Sequence, residues 1–197
     1  WGPRPGGGPG RHVPIVLDAG CGAGGQAQRL AALGASVWAV DIVDYSDVFS
    51  ASAMAIRDDG KRAVTFVQSD VASWIETTSV RFDIVCFQRA LHYLPYTVAR
   101  RLLARLGEQT AVTLYLSVTG ATSAIAGSYP ALNQVITDRF ATLSPDAQAL
   151  FAITAPLCIY TEAELLDLLK RTGWEVEYCR VSDFGNVKIV AKPLHEK

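Results

Sequence analysis

The sequence predicts an α/β fold, a mainly parallel sheet crossed by helices and closed by an antiparallel hairpin. Three observations predict it. From Val13 onward, short β-branched runs alternate with longer helical patterns, as in strands joined by helical crossovers. A Gly-rich turn, Gly20 to Gly25, separates the first strand from the first helix, where a chain must bend sharply. The last two strands are joined only by Ser182-Asp183-Phe184-Gly185-Asn186. A link that short reverses direction, so those strands pair antiparallel.

Each element follows from local chemistry. Trp1 to His12 is dominated by Gly and Pro and reads as a flexible leader that buries nothing. The first strand is Val13 to Asp18, and a helix runs from about Gln26 to Leu33, where Gly34 ends it. A second strand, Ser36 to Asp41, precedes a helix from about Asp47 to Arg57, with Ser46 as N-cap and Asp59-Gly60 as its stop. The third strand is Ala63 to Gln68, the fourth Phe82 to Phe87. Pro95 suits a helix start, since its missing N–H is not needed there, and that helix runs to about Leu106. The fifth strand is Ala111 to Val118. Thr119 to Pro156 then forms a long interrupted stretch with short helical patterns at Leu132 to Phe140 and Pro145 to Phe151. Its length predicts an insertion or lid. Thr161 opens a helix through Arg171, and strands Glu175 to Val181 and Val187 to Lys192 close the chain.

The 197 residues, 50% hydrophobic and 19% charged, supply one globular core and are too few for two large domains. A net charge of −1 gives no bulk attraction to phosphate backbones, so nucleic acid is a disfavoured partner. Arg100, Arg101 and Arg105 fit the solvated face of a helix whose inner face carries Leu102, Leu103 and Leu106. Cys21, Cys86, Cys158 and Cys179 form no C-x-x-C pair, which disfavours a zinc site and suits a reducing compartment. No apolar run approaches the roughly 20 residues that span a bilayer; a soluble, cytoplasmic protein is the expectation.

The segment Val16-Leu17-Asp18-Ala19-Gly20-Cys21-Gly22-Ala23-Gly24-Gly25 lets a ligand approach the main chain with no Cβ in the way. Gly20, Gly22 and Gly25 also satisfy G-x-G-x-x-G, the dinucleotide fingerprint. Charge separates the two readings. A pyrophosphate would be repelled by a carboxylate beside the glycines, whereas a cationic sulfonium with an amino-acid tail would be attracted. Asp18 supplies that carboxylate. Asp41 ends the second strand, where it can accept two ribose hydroxyls, and Asp70 follows the third, where it can accept an adenine amino group.

The order Asp18-x-Gly20-x-Gly22-x-Gly24, Asp41, Ser69-Asp70, Phe82-Asp83-Ile84-Val85 resembles the class I S-adenosylmethionine-dependent methyltransferases over about Val13 to Pro193. The resemblance implies a Rossmann-like doubly wound sheet of seven strands, order 3-2-1-4-5-7-6 with strand 7 antiparallel, in one methyltransferase domain spanning 13–197. It also implies S-adenosyl-L-methionine as cofactor. Carried over by position, Asp18 with Gly20, Cys21, Gly22 and Gly24 holds the methionine portion and Asp41 the ribose. Asp70 and the Val71 main chain hold the adenine, with Ile42 packed on its face. Gln88 and Arg89 approach the methionine portion from the end of the fourth strand.

Methyl transfer from a sulfonium is an in-line displacement with an activated leaving group, so alignment and exclusion of water are the main tasks. His92 is the candidate general base, needed only for an acceptor proton of high pKa. Tyr93 and Tyr96, and also Tyr115, Tyr129 and Tyr160, are candidates to line the acceptor pocket. Gln88-Arg89-Ala90-Leu91 stands where an Asn-Pro-Pro-Tyr tetrad would support amino methylation, and no Pro-Cys nucleophile follows the fourth strand. A small-molecule acceptor under the 119–156 lid is therefore the expectation. RNA or protein acceptors, a cofactor-binding module without turnover, and a nicotinamide-dependent oxidoreductase are the alternatives.

Overall fold

A computed structural model describes residues 12–51 and 63–194. Seven strands form one sheet in the order β3-β2-β1-β4-β5-β7-β6. In chain order the elements are β1 (Ile15–Ala19), α1 (Gly25–Ala32), β2 (Ser36–Asp41), α2 (Ser46–Ala51), β3 (Val64–Gln68), α3 (Val71–Thr77) and β4 (Phe82–Gln88). They continue with α4 (Tyr96–Gln109), β5 (Thr110–Thr119), α5 (Pro145–Phe151), α6 (Glu162–Arg171), β6 (Trp174–Val181) and β7 (Asn186–Pro193). β1 to β5 pair in parallel, and β7 runs antiparallel between β5 and β6. The expected order and direction are met.

Side chains of a strand alternate between faces, and the sheet buries both. On one face Leu17, Val85, Leu114 and Ile189 pack with Leu102, Leu103 and Leu106 of α4 and Leu165 and Leu168 of α6. The arginines of α4 fall on its outer side, Arg100 and Arg101 exposed and Arg105 half-buried. On the other face Val16, Val37 and Val64 pack with Ala27 and Ala31 of α1 and Phe49 of α2. A third cluster, Ala126, Tyr129, Leu143, Ala147, Leu157 and Ile159, gives the 119–156 segment its own core.

Four local differences from expectation have physical causes. α3 is an additional helix. Asp70 caps it by accepting the Ser73 N–H at 2.8 Å, and its seven residues are too few to show a clear period. Ser46 is the first residue of α2 rather than its cap, and Asp44 takes the Ser46 N–H at 2.8 Å. The part of that helix expected beyond Ala51 lies outside the described residues. Leu132 to Phe140 is turns plus one 3₁₀ turn, Ile136–Asp138, because Arg139 bonds the Gln134 carbonyl at 2.8 and 3.1 Å and folds the segment back. Of the leader, only His12 is described; its ring bonds Asp83 at 2.9 Å.

The insertion is anchored to α6. Arg139, almost fully buried, bonds Glu164 at 2.7 Å and the Ile159 carbonyl at 3.0 Å. Glu164 also closes the capping box of α6 with Thr161. Burial pushes the Glu164 carboxyl up, but Arg139 and the Thr161 bonds outweigh it and hold the group below its usual range. The Tyr129 hydroxyl donates to the carbonyls of Arg139 and Leu157.

Candidate active site

The loop after β1 turns through three residues with positive φ, Gly20 at 67°, Gly22 at 51° and Gly24 at 79°. At two of them space as well as torsion demands glycine. A Cβ on Gly20 would collide with that of Ala90, and one on Gly24 would lie 2.6 Å from the Phe49 ring. The loop's donors are turned inward. Gly20 and Cys21 donate to the Val40 carbonyl at 2.8 and 3.1 Å, and Gly24 to Cys21 at 3.1 Å. Gly22 donates to the Asp41 carboxylate at 2.8 Å. A pyrophosphate needs such N–H groups pointing at it. These four are engaged inside the protein and are not offered to a pyrophosphate.

Asp18 sits at the end of β1 with 2% of its surface exposed. Burial pushes its carboxyl up to about 6, against the pull of the Ala27 N–H and Arg29, with Asp41 adding repulsion. One carboxylate oxygen, Oδ2, has no hydrogen-bond partner. A buried acceptor left unmatched is costly. Burial and then Asp18 push the nearby thiols of Cys21 and Cys86 to about 12, so both stay protonated. Among the described residues no cluster of His, Cys, Asp and Glu is arranged to hold a metal ion, and no helix is long and apolar enough to cross a membrane.

At the end of β4 the chain crosses the sheet's carboxyl edge. Gln88 turns its amide onto the Tyr115 carbonyl at 2.9 Å. Arg89 takes a left-handed backbone, φ 54°. A 3₁₀ turn, Leu91–Tyr93, buries His92 to 3% exposure. His92 Nδ1 accepts the Thr119 N–H at 3.3 Å, so the neutral ring carries its proton on Nε2. Burial, then the Arg89 charge, lowers its pKa to about 4.

These residues border a cleft of about 770 Å³. Asp18, Gly20, Cys21 and Gly22 form one end, Gln88, Arg89 and His92 the middle, and Ile125, Phe151, Ile153 and Phe184 the far wall. Residues 16–110 match the family model described as a methyltransferase domain, and the observed strand order matches what that resemblance implied.

The chain carries a methyltransferase domain of the class I, S-adenosylmethionine-dependent kind.

Solved structures similar to this methyltransferase include an S-adenosylmethionine-dependent methyltransferase from Methanosarcina mazei, 20% identical, covering 94% of this chain and 95% of that one with a TM-score of 0.69. The 1,6-didemethyltoxoflavin-N1-methyltransferase of Burkholderia thailandensis is 19% identical over 93% of this chain and 72% of its own, TM-score 0.66. The magnesium protoporphyrin IX methyltransferase of Synechocystis is 20% identical over 91% and 74%, TM-score 0.63. At such identities the likeness is one of fold. No curated protein matches the chain by sequence.

The other expected site residues of this methyltransferase lie outside the cleft's lining, at the β1 loop and the ends of β2 and β3. Asp41 carries the Gly22 N–H on one oxygen and the Val43 N–H, at 3.0 Å, on the other. Ile42 is 67% exposed beside it. Asp70 and Val71 open α3, with Ser69 tied to the Asp41 carbonyl at 2.8 Å. Of the five tyrosines, only Tyr93 lines the cleft. Tyr129 and Tyr160 are core residues, Tyr96 packs against the main core, and Tyr115 contributes its carbonyl to Gln88. Sequence reasoning missed Gln26, Arg29 and Thr119, and Phe184 at the β6–β7 turn. An apolar residue in a five-residue polar turn was the signal that marked Phe184.

Proposed function

We propose that this methyltransferase moves a methyl group in line to a small-molecule acceptor. The acceptor lies between the carboxyl edge of the sheet and the 119–156 segment, and residues 13–197 act as one unit. The observation that carries this reading is Asp18, a buried carboxylate with one unmatched oxygen, among the residues lining a cleft that also carries Ile125, Phe151, Ile153 and Phe184. Bound S-adenosylmethionine supplies an electrophilic methyl on an activated leaving group. The chain's own part is to bind, orient and exclude water.

In this reading Asp18 accepts the cofactor's ammonium, and Gly20, Cys21, Gly22 and Gly24 let it approach the main chain. Asp41 accepts the ribose hydroxyls beside Gly22, and Ile42 covers the adenine face. Asp70 and the Val71 N–H, a first-turn donor of α3 with no helical partner, meet the adenine edge. Gln88 borders the methionine portion. The 119–156 segment roofs the acceptor, fixed at its base by Arg139 and Tyr129. His92 acts as a hydrogen-bond donor through Nε2, because the Thr119 N–H occupies the lone pair a general base would use.

A small acceptor is favoured by the cleft volume, which lies in the range of small-molecule sites, and by the net charge of −1. Two proteins of like fold are named for small-molecule substrates, didemethyltoxoflavin and magnesium protoporphyrin. The test is radiolabelled methyl transfer into a small-molecule extract, total RNA and a protein lysate in parallel. Incorporation confined to the small-molecule fraction is expected. Robust label in RNA or protein overturns the acceptor class, and cofactor binding without label in any fraction overturns the enzymatic reading.

A further inference from the structure

Resting on that reading, the cleft is lined by two cationic side chains, Arg29 and Arg89. Arg29, bonded to Gln26 at 2.9 Å, bears on Asp18 at the donor end. Arg89 bears on His92. Its backbone is pinned there by β5, since the Arg89 N–H donates to the Ser117 carbonyl at 2.9 Å and hydroxyl at 3.2 Å. A non-glycine residue at φ 54° is uncommon and persists where the surroundings over-determine it.

Among the described residues the Arg89 guanidinium makes no hydrogen bond or ion pair, and Asp18 is the sole carboxylate that lines the cleft. His92, on which the Arg89 charge acts, also lines the cleft, and its Nε2–H is a second donor with no carboxylate besides Asp18 in the lining. The wall beyond them carries Ile125, Phe151, Ile153 and Phe184, with Ser123 and Asn186 as polar members. Arg89 is exposed, so its guanidinium is solvated rather than buried, but it repels a cationic acceptor and attracts an anionic one. A carboxylate matches its fork of donors.

We infer that the methyl acceptor is an apolar organic acid whose carboxylate is received by Arg89 and the Nε2–H of His92, with its body against Phe151, Ile153 and Phe184. Arg89 thereby leaves the set of residues expected at the methionine portion and becomes a determinant of acceptor specificity.

The experiment is calorimetric titration of the protein saturated with S-adenosylhomocysteine. The probes are hydroxybenzoates, cinnamate and naphthoate, each paired with its primary amide. The acids are expected to bind at least about tenfold more tightly than their amides, in line with the strength of charge-assisted pairing. Arg89→Gln erases that preference, Arg89→Lys keeps part of it, and S-adenosylhomocysteine affinity stays unchanged in both. Equal binding of acids and amides, or no binding of either, overturns the inference while leaving the cofactor reading in place. So does an Arg89→Gln loss confined to S-adenosylhomocysteine. Failure of the wild-type protein to bind S-adenosylhomocysteine overturns both readings.

Discussion

The Asp41 carboxylate accepts the N–H of Gly22 at 2.8 Å, tying the end of the second strand to the loop after the first. One side chain thus shapes the glycine turn and stands where ribose hydroxyls are proposed to bind. Asp41→Ala removes both functions. Cofactor affinity is expected to fall by about 1–3 kcal/mol, read as the dissociation constant of S-adenosylhomocysteine. Thermal unfolding should show a smaller loss, because the Val40 carbonyl still holds Gly20 and Cys21. An unchanged dissociation constant rejects the ribose assignment.

Asp18 predicts a pH dependence of binding. Its carboxyl sits at about 6 because burial penalises the charge, so a cationic ligand binds best once the group ionises. Affinity for S-adenosylmethionine should be level above about pH 7 and weaken as pH falls through 6, approaching tenfold per unit below it. Stability of the cofactor-free protein runs the other way for this group. A raised folded pKa favours the protonated native state, so its contribution diminishes as pH rises from 3.8 to about 6. Asp18→Asn should stabilise the unliganded fold at pH 7 by about 1–3 kcal/mol and flatten the binding profile. Titrations at pH 5 to 8 with matched urea melts check both; a wild-type affinity independent of pH over that range defeats the assignment.

The Asp18 end of the cleft was legible in the sequence residue by residue, and its far wall only as the 119–156 segment, for a physical reason. Asp18, Gly20 and Asp41 are fixed by short-range rules, since a strand end, a sharp turn and the next strand end lie at set spacings along the chain. Phe151, Ile153 and Phe184 reach the cleft only through tertiary packing, from an insertion and from a hairpin turn. The antiparallel β7 was legible because its five-residue link leaves one geometry. α3 was missed because its stabiliser is a single cap, Asp70, which also fits a binding role. His92 was found as a residue, but the direction of its hydrogen bond depends on Thr119, 27 residues away.

Arg139 offers a way to disturb the roof without touching the donor end. Its partner Glu164 is three-quarters covered, and the guanidinium also serves two backbone carbonyls. Arg139→Met leaves those acceptors unmatched and should cost about 3 kcal/mol, read by urea unfolding. Acceptor turnover is expected to fall through KM more than kcat, with S-adenosylhomocysteine affinity kept. Adding Glu164→Gln should recover part of the stability, since the worst state is one partner buried alone. Equal losses of cofactor and acceptor binding would show that the segment supports the whole edge rather than roofing the acceptor.

His92 separates a base from a donor. A general base must shed a proton to work and leaves an ionisation in the pH–rate profile. His92, held near 4 by burial and then by Arg89, should contribute no such ionisation between pH 5.5 and 9. His92→Gln keeps a donor and should retain much of kcat/KM, while His92→Ala should lose about 1–2 kcal/mol of transition-state stabilisation. If His92 is instead the base, both variants fall to the same low rate and the wild-type profile shows an ionisation that both lack. Stability supplies an independent readout. A folded pKa below the unfolded 6.5 makes the His92 contribution complete above pH 6.5 and lost as pH falls toward 4, about 3 kcal/mol in all. Urea melts of His92→Gln should therefore lack the acid weakening seen in the parent over that window, where Asp18 pulls in the opposite sense. An identical pH dependence of stability in parent and variant would mean that the ring is solvated and free to take up protons.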